Sequence, residues 1–146
     1  MKLRSWQAEA FPLWWDKQQG IIKVVTGGGK TFFAIHCIKE YIKAFPEKDI
    51  LIVVPSIALL DQWNEALLEN NVNQEIVLNG GGEKVDKSAK IIVTTIDSLK
   101  NILGIVNAEN SLLIVDECHK IGTEKRGDML NNNWSATLGL SATPER

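Results

Sequence analysis

Cysteine is scarce in this chain. Cys37 and Cys118 are the two in 146 residues, too few for a disulfide framework, and the compartment this implies is a reducing cytoplasm. Each has a histidine beside it (His36-Cys37 and Cys118-His119). Adjacent side chains on a helix or strand diverge, however, and the spacing is unlike C-x₂₋₄-C or H-x₃₋₅-H, so no zinc site is read here. No apolar run approaches the roughly 20 residues of a membrane span. The N-terminal Met1-Lys2-Leu3-Arg4-Ser5-Trp6 lacks the apolar core of a secretory signal. A dominant charge is missing too: 16 basic residues stand against 18 acidic ones, so nucleic-acid binding would have to rest on a local patch. There is no internal repeat, and low complexity is confined to Gly80-Gly81-Gly82. With 45% hydrophobic and 23% charged residues, residues 1–146 read as one ordinary globular domain with a substantial core.

What is present is organised around Val24-Val25-Thr26-Gly27-Gly28-Gly29-Lys30-Thr31. It follows the apolar run Ile21, Ile22, Val24, Val25 and leads into an apolar segment of helical length. A strand, a glycine turn and Lys-Thr at a helix start form the arrangement that holds a nucleotide's phosphates. Glycines allow successive backbone N–H groups to turn inward as an anion-sized nest, and the helix points its positive dipole end at the same spot. Lys30 would bring a point charge to the β/γ-phosphates, and the Thr31 hydroxyl would complete the Mg²⁺ shell. The strict pattern GxxxxGK[ST] places a glycine where this chain has Val24. A glycine turn that happens to precede Lys-Thr is the plain alternative.

The remaining pattern alternates strands and helices. An amphipathic helix from Arg4 to Gln18, interrupted or kinked near Pro12, carries Trp6, Phe11, Trp14 and Trp15. Strands follow at 21–25, 50–54, 75–78, 91–95, 112–115 and 137–140, with helices at 31–45, 57–70 and 96–103. Ser56 is placed to cap the second of those helices, and Asn79 to Gly82 reads as a loop tip rather than a second phosphate site. Uniformly apolar strands alternating with helices predict an α/β fold with a mostly parallel sheet and helices on both faces. In such sheets the functional groups gather at the carboxyl ends of the strands. There the unusual polar residues fall: Gly27 to Thr31, Pro55-Ser56, Thr94-Thr95, Asp116-Glu117 and Ser141 to Thr143.

Asp116-Glu117 ends an apolar strand. Paired with an upstream Lys-Thr loop, Asp116 would hold magnesium and Glu117 would polarise the attacking water as general base. Alone, the pair reads first as an acidic strand end facing solvent. Trp14, Trp15 and Trp134 read as packing or interface residues. Trp134, after Asn131-Asn132-Asn133, is the one expected to be exposed, and an exposed Trp14 or Trp15 would mark a docking face.

These residues carry a family resemblance. The chain resembles the first RecA-like domain of a superfamily-2 helicase or translocase of the DExH type, a P-loop NTPase fold. Leu3-Arg4-Ser5-Trp6-Gln7 is similar to the Q motif, which implies that Gln7 reads the adenine edge and that Arg4 binds the nucleotide. Thr26-Gly27-Gly28-Gly29-Lys30-Thr31 resembles motif I, and Val54 to Trp63 resembles motif Ia. Val93-Thr94-Thr95 resembles the next strand-contacting motif, Asp116-Glu117-Cys118-His119 motif II, and Ser141-Ala142-Thr143 motif III. The resemblance implies ATP and Mg²⁺ as cofactors. It implies backbone contacts to nucleic acid from Pro55, Ser56 and Thr95, and coupling roles for His119, Ser141 and Thr143. The nearest branch holds restriction-enzyme motor subunits and DNA-repair translocases, which makes DNA the expected partner over RNA.

The family carries an arginine finger on a second RecA-like domain, whereas this sequence stops at Arg146, directly after motif III. The expectation is therefore a fragment with little turnover alone. A nucleotide-driven switch module without unwinding is the competing reading. A small-molecule kinase would need an acceptor pocket and lid, which nothing in the sequence supplies.

Overall fold

The aliphatic runs form six strands: β1 (Ile21–Val25), β2 (Asp49–Val54), β3 (Ile76–Asn79), β4 (Ile91–Thr95), β5 (Ser111–Val115) and β6 (Ala136–Thr143). Among the described residues four α-helices accompany them: α1 (Ser5–Lys17), α2 (Lys30–Ala44), α3 (Ile57–Glu69) and α4 (Ile96–Ile102). The computed structural model describes residues 3–25, 29–72, 74–79, 89–102, 104, 106–117 and 133–143. Neighbouring strands pair in parallel throughout, in the order β1-β6-β5-β2-β4-β3.

A parallel sheet must be covered on both faces, and strand alternation divides the core accordingly. Ile50, Ile52, Val54, Leu112 and Ile114 pack with Phe33, Ile38 and Tyr41 of α2 and Leu60, Trp63 and Leu67 of α3. Leu51, Val53 and Leu113 point the other way, against Leu99 and Ile102 of α4. Chain direction explains which helix lies where. From β1 to β2 and from β2 to β3 the chain moves one way across the sheet, and α2 and α3 share a face. From β4 to β5 it moves back, and α4 lies on the opposite face. Crossovers of one hand require that division. Cys37 belongs to the first face; burial pushes its thiol far above the usual range, so it is an unreactive core residue.

Three expectations need revision. α1 runs as one element through Pro12. Proline removes the bond to the Ala8 carbonyl, but both residues are exposed, so water can satisfy that oxygen. The buried side of the helix is anchored instead, with Trp14 Nε1–H donating to the Thr137 carbonyl at 2.8 Å. Trp14 is buried and Trp15 half-buried, so neither marks an open docking face.

Trp134 is buried as well, at 8% exposure, in the cluster with Leu51, Val53 and Leu113. The polar residues before it concealed that role. Finally, β6 extends through Ser141 to Thr143 because β1 lies alongside and supplies backbone partners, Lys23 to Ser141 and Val25 to Thr143. Among the described residues no helix is long and apolar enough to cross a membrane.

Candidate nucleotide site

β6 separates the two halves of the site. Gly139 pairs with Ile21 on one side and Val115 on the other, while β1 continues to Val25, level with Thr143. The strand leading to the glycine turn thus rises four residues, about 13 Å, beyond the end of β5. α2 then starts at Lys30, and its first side chain reaches back to the end of β5. Lys30 Nζ lies 3.0 Å from Asp116 Oδ1 and also donates to Glu117 Oε1. Two adjacent carboxylates, 86 and 87 positions downstream of Lys30, share its ammonium.

Alternation puts Asp116 on this side, since Leu112, Ile114 and Asp116 occupy successive same-face positions of β5 and its extension. The Asp116 N–H continues the ladder to the Val53 carbonyl at 2.8 Å, and the residue is only 2% exposed. Its Oδ2 accepts a 2.8 Å hydrogen bond from Trp63 Nε1 of α3. Strict alternation would turn Glu117 to the opposite face. Instead Glu117 has φ +53°, a left-handed conformation that costs roughly 1–2 kcal/mol in a residue with a Cβ, and its carboxylate meets Lys30 beside Asp116. Backbone strain of this kind concentrates where function over-determines geometry.

The donor set suits a hard cation. Two carboxylates with a nearby hydroxyl residue, Thr31, offer oxygen ligands, and a positive charge already sits between the carboxylates as the Lys30 ammonium. Among the described residues no group of three or more His, Cys, Asp or Glu gathers to hold a metal alone. Two carboxylate groups of this kind fit Mg²⁺, which commonly takes one or two carboxylates and completes its shell with phosphate and water.

The other flank is tied by Gln7, which is completely buried. Its Oε1 accepts from the Arg4 N–H at 2.7 Å and its Nε2 donates to the Gly29 carbonyl at 2.9 Å. One partner can only donate and the other can only accept, so the amide orientation is fixed. The first bond is the returning half of a capping box at the start of α1; the second holds the glycine turn. Arg4, Gln7, Gly29, Thr31 and Phe32 line a cleft of about 240 Å³ that reaches Ala66 of α3 and Asn70 at its C-cap.

Gly29 has φ +86°, and a Cβ there would stand 2.9 Å from Gln7 Nε2. Gly29→Ala is therefore expected to destabilise the fold by about 1–3 kcal/mol in urea unfolding. Gly104→Ala, whose Cβ meets nothing within 4 Å, should stay within about 0.5 kcal/mol of the parent. Equal values for the two would remove the strain assigned to the turn.

The residues expected to touch a strand divide. Ser56 is exposed and caps α3, accepting from the Leu59 N–H at 3.4 Å. Pro55 is half-buried. Thr95 is 5% exposed, and its hydroxyl accepts from the Ser98 N–H at 3.2 Å, capping α4. Ser141 is buried on β6 between the two halves of the site, and the Thr143 backbone pairs with Val25 beside it. Thr26, Gly27, Gly28, Cys118 and His119 lie outside the described residues. The sequence pattern puts Asn79 at a loop tip, whereas Asn79 closes β3 and is 2% exposed, with its Nδ2 unpaired among the described residues. It also left unread the bond from Trp63 to Asp116, though a buried indole N–H calls for an acceptor.

The family described as type III restriction enzyme, res subunit, matches residues 1–146. The chain belongs to that family. Like this res-subunit domain in sequence is the DNA 3'-5' translocase XPB2 of Sulfurisphaera tokodaii, 36% identical over all of this chain and 32% of that protein. In structure, the UvsW helicase of bacteriophage T4 superposes with a TM-score of 0.82 over 98% of this chain and 53% of that one, at 22% identity. The SWI2/SNF2 ATPase core of Sulfolobus solfataricus, solved with double-stranded DNA, gives 0.83 over 99% and 32%, at 19% identity. The fold of the res-subunit domain is thus that of an N-terminal RecA-like domain of superfamily-2 helicases, and it spans about a third of the translocase's length.

Proposed function

We propose that this domain is the ATP-binding half of a DNA translocase or helicase motor working in the cytoplasm, with ATP·Mg²⁺ seated between the start of α2 and the end of β5. The observation that carries the reading is the convergence of Lys30 on Asp116 and Glu117 across β6. A triphosphate entering there replaces the carboxylates as the partner of Lys30. Backbone N–H groups of Gly27 to Lys30, with Thr26 alongside, cradle its oxygens at the helix N-terminus. Asp116 and the Thr31 hydroxyl would hold Mg²⁺, which would supply charge neutralisation to the phosphates. Glu117, released from Lys30, accepts the proton of the attacking water. Arg4 and Gln7 border the cleft that takes the adenine.

Around this centre, Pro55 and Ser56 edge the face offered to the nucleic-acid backbone, without reading sequence, and the buried Thr95 supports that edge from β4 beside Val54. His119, Ser141 and Thr143 connect that face to the phosphates. Ser141 and Thr143 stand on the strand wedged between the two halves of the site. The relatives named above support DNA as the strand. A second RecA-like domain elsewhere in the protein would supply the arginine finger, which is worth about 10³–10⁵ in rate in related phosphoryl transfer.

The test is ATP turnover by the full-length protein and by residues 1–146, each with duplex DNA or RNA. The full-length protein should be stimulated by DNA and not by RNA, and residues 1–146 should be slower by about 10³–10⁵. Equal turnover by both would contradict the two-domain reading, and stimulation by RNA alone would contradict the choice of strand.

A further inference from the structure

Asp116 has two carboxylate oxygens with partners of different character. Oδ1 faces the Lys30 ammonium at 3.0 Å, on a long flexible side chain that is 20% exposed. Oδ2 faces the Trp63 indole N–H at 2.8 Å, on a rigid ring that is 1% exposed and buried in the same core cluster as Leu60 and Leu67 of α3. The Asp116 backbone is fixed as well, through its N–H on the Val53 carbonyl. One oxygen thus has an exchangeable charged partner, and the other has a neutral donor that cannot move without α3.

The ring alone would not need this bond, because phenylalanine would fill most of the same apolar space. The indole N–H, once buried, needs an acceptor, and the acceptor it has is the carboxylate at the end of β5. From this geometry we infer that Trp63 is a positioning residue for the metal site. It pins Oδ2 so that Oδ1 is the oxygen presented to Mg²⁺ when Lys30 transfers to the phosphates. Such outer partners commonly hold the orientation of a metal-binding group and are worth about 10–100-fold in metal affinity. The inference rests on the nucleotide-site reading above and adds a residue and a task to it.

Trp63→Phe in the full-length protein tests this by titrating Mg²⁺ against binding of a fluorescent ATP analogue. The midpoint should move to about 10–100-fold higher Mg²⁺, while binding of the analogue in excess EDTA stays unchanged. Turnover lost at low Mg²⁺ should return at high Mg²⁺, which a general loosening of the core would not produce. A midpoint within about twofold of the parent overturns the inference. A wild-type protein that binds no analogue with or without Mg²⁺ overturns the nucleotide-site reading itself.

A second measurement on wild-type protein does not depend on the variant folding. The Trp63 indole N–H resonance should shift when Mg²⁺ is added to the ATP-bound protein, because its acceptor becomes a metal ligand. An indole signal indifferent to Mg²⁺ in the ATP-bound protein would leave Trp63 as a core residue only and overturn the inference.

Discussion

Glu117→Gln in the full-length protein is expected to lower ATP turnover by about 10²–10⁴-fold, the range for loss of a positioned general base, with ATP binding preserved. The amide keeps the size of the side chain and loses its capacity to take a proton. Glutamine also removes one of the two anions now holding Lys30, so less has to be broken when a triphosphate takes that ammonium. ATP affinity should therefore hold or rise while kcat falls, and pre-steady-state kinetics should place the loss in the chemical step. Unchanged kcat would remove Glu117 from the reaction and leave it as an ion-pair partner.

Lys30→Ala should act on the other side of the exchange. Hydrogen bonds to charged groups contribute about 1.5–3 kcal/mol, so ATP affinity should fall by about one to two orders of magnitude. The substitution also leaves Asp116, 3% exposed on its side chain, beside Glu117 with no cation between them. Breaking a buried pair costs about 3–5 kcal/mol. Lys30 is partly exposed, so about 1–3 kcal/mol is the fitting expectation after allowance for solvent screening. Urea unfolding and nucleotide titration of the same variant should therefore both respond. Unaltered affinity would place the phosphates elsewhere.

The layout of these residues was largely legible in the sequence. Fully apolar strands such as Ile50 to Val54 announce a parallel sheet, and a parallel sheet gathers strand ends on one edge, so Lys30 and Asp116 could be brought together on paper. Alternation along Leu112, Ile114 and Asp116 even gives the face. Alternation fails at the next residue, because the left-handed backbone at Glu117 has no signature in a non-glycine residue. Trp134 was obscured because burial depends on Leu51, Val53 and Leu113 presenting an open face far away in sequence, while its neighbours are asparagines. The bond from the Arg4 N–H to Gln7 was obscured for a different reason. A capping box is recognised by a hydroxyl or carboxylate at its first position, and here that position is Arg4. Long-range polar bonds such as Trp63 to Asp116 depend on how α3 lies across the sheet, which apolar periodicity does not encode.

The central claim is that one metal–triphosphate sits between Lys30 and Asp116, and Mn²⁺ in place of Mg²⁺ tests it most directly. Paramagnetic broadening acts on nearby nuclei, and the Trp63 indole bonds to the metal-holding carboxylate, while Trp134 packs on the opposite face of the sheet. With ATP present, Mn²⁺ should erase the Trp63 indole resonance and leave that of Trp134 visible; without nucleotide, both should stay visible. A Trp63 signal that persists in the presence of Mn²⁺ and ATP would contradict the account.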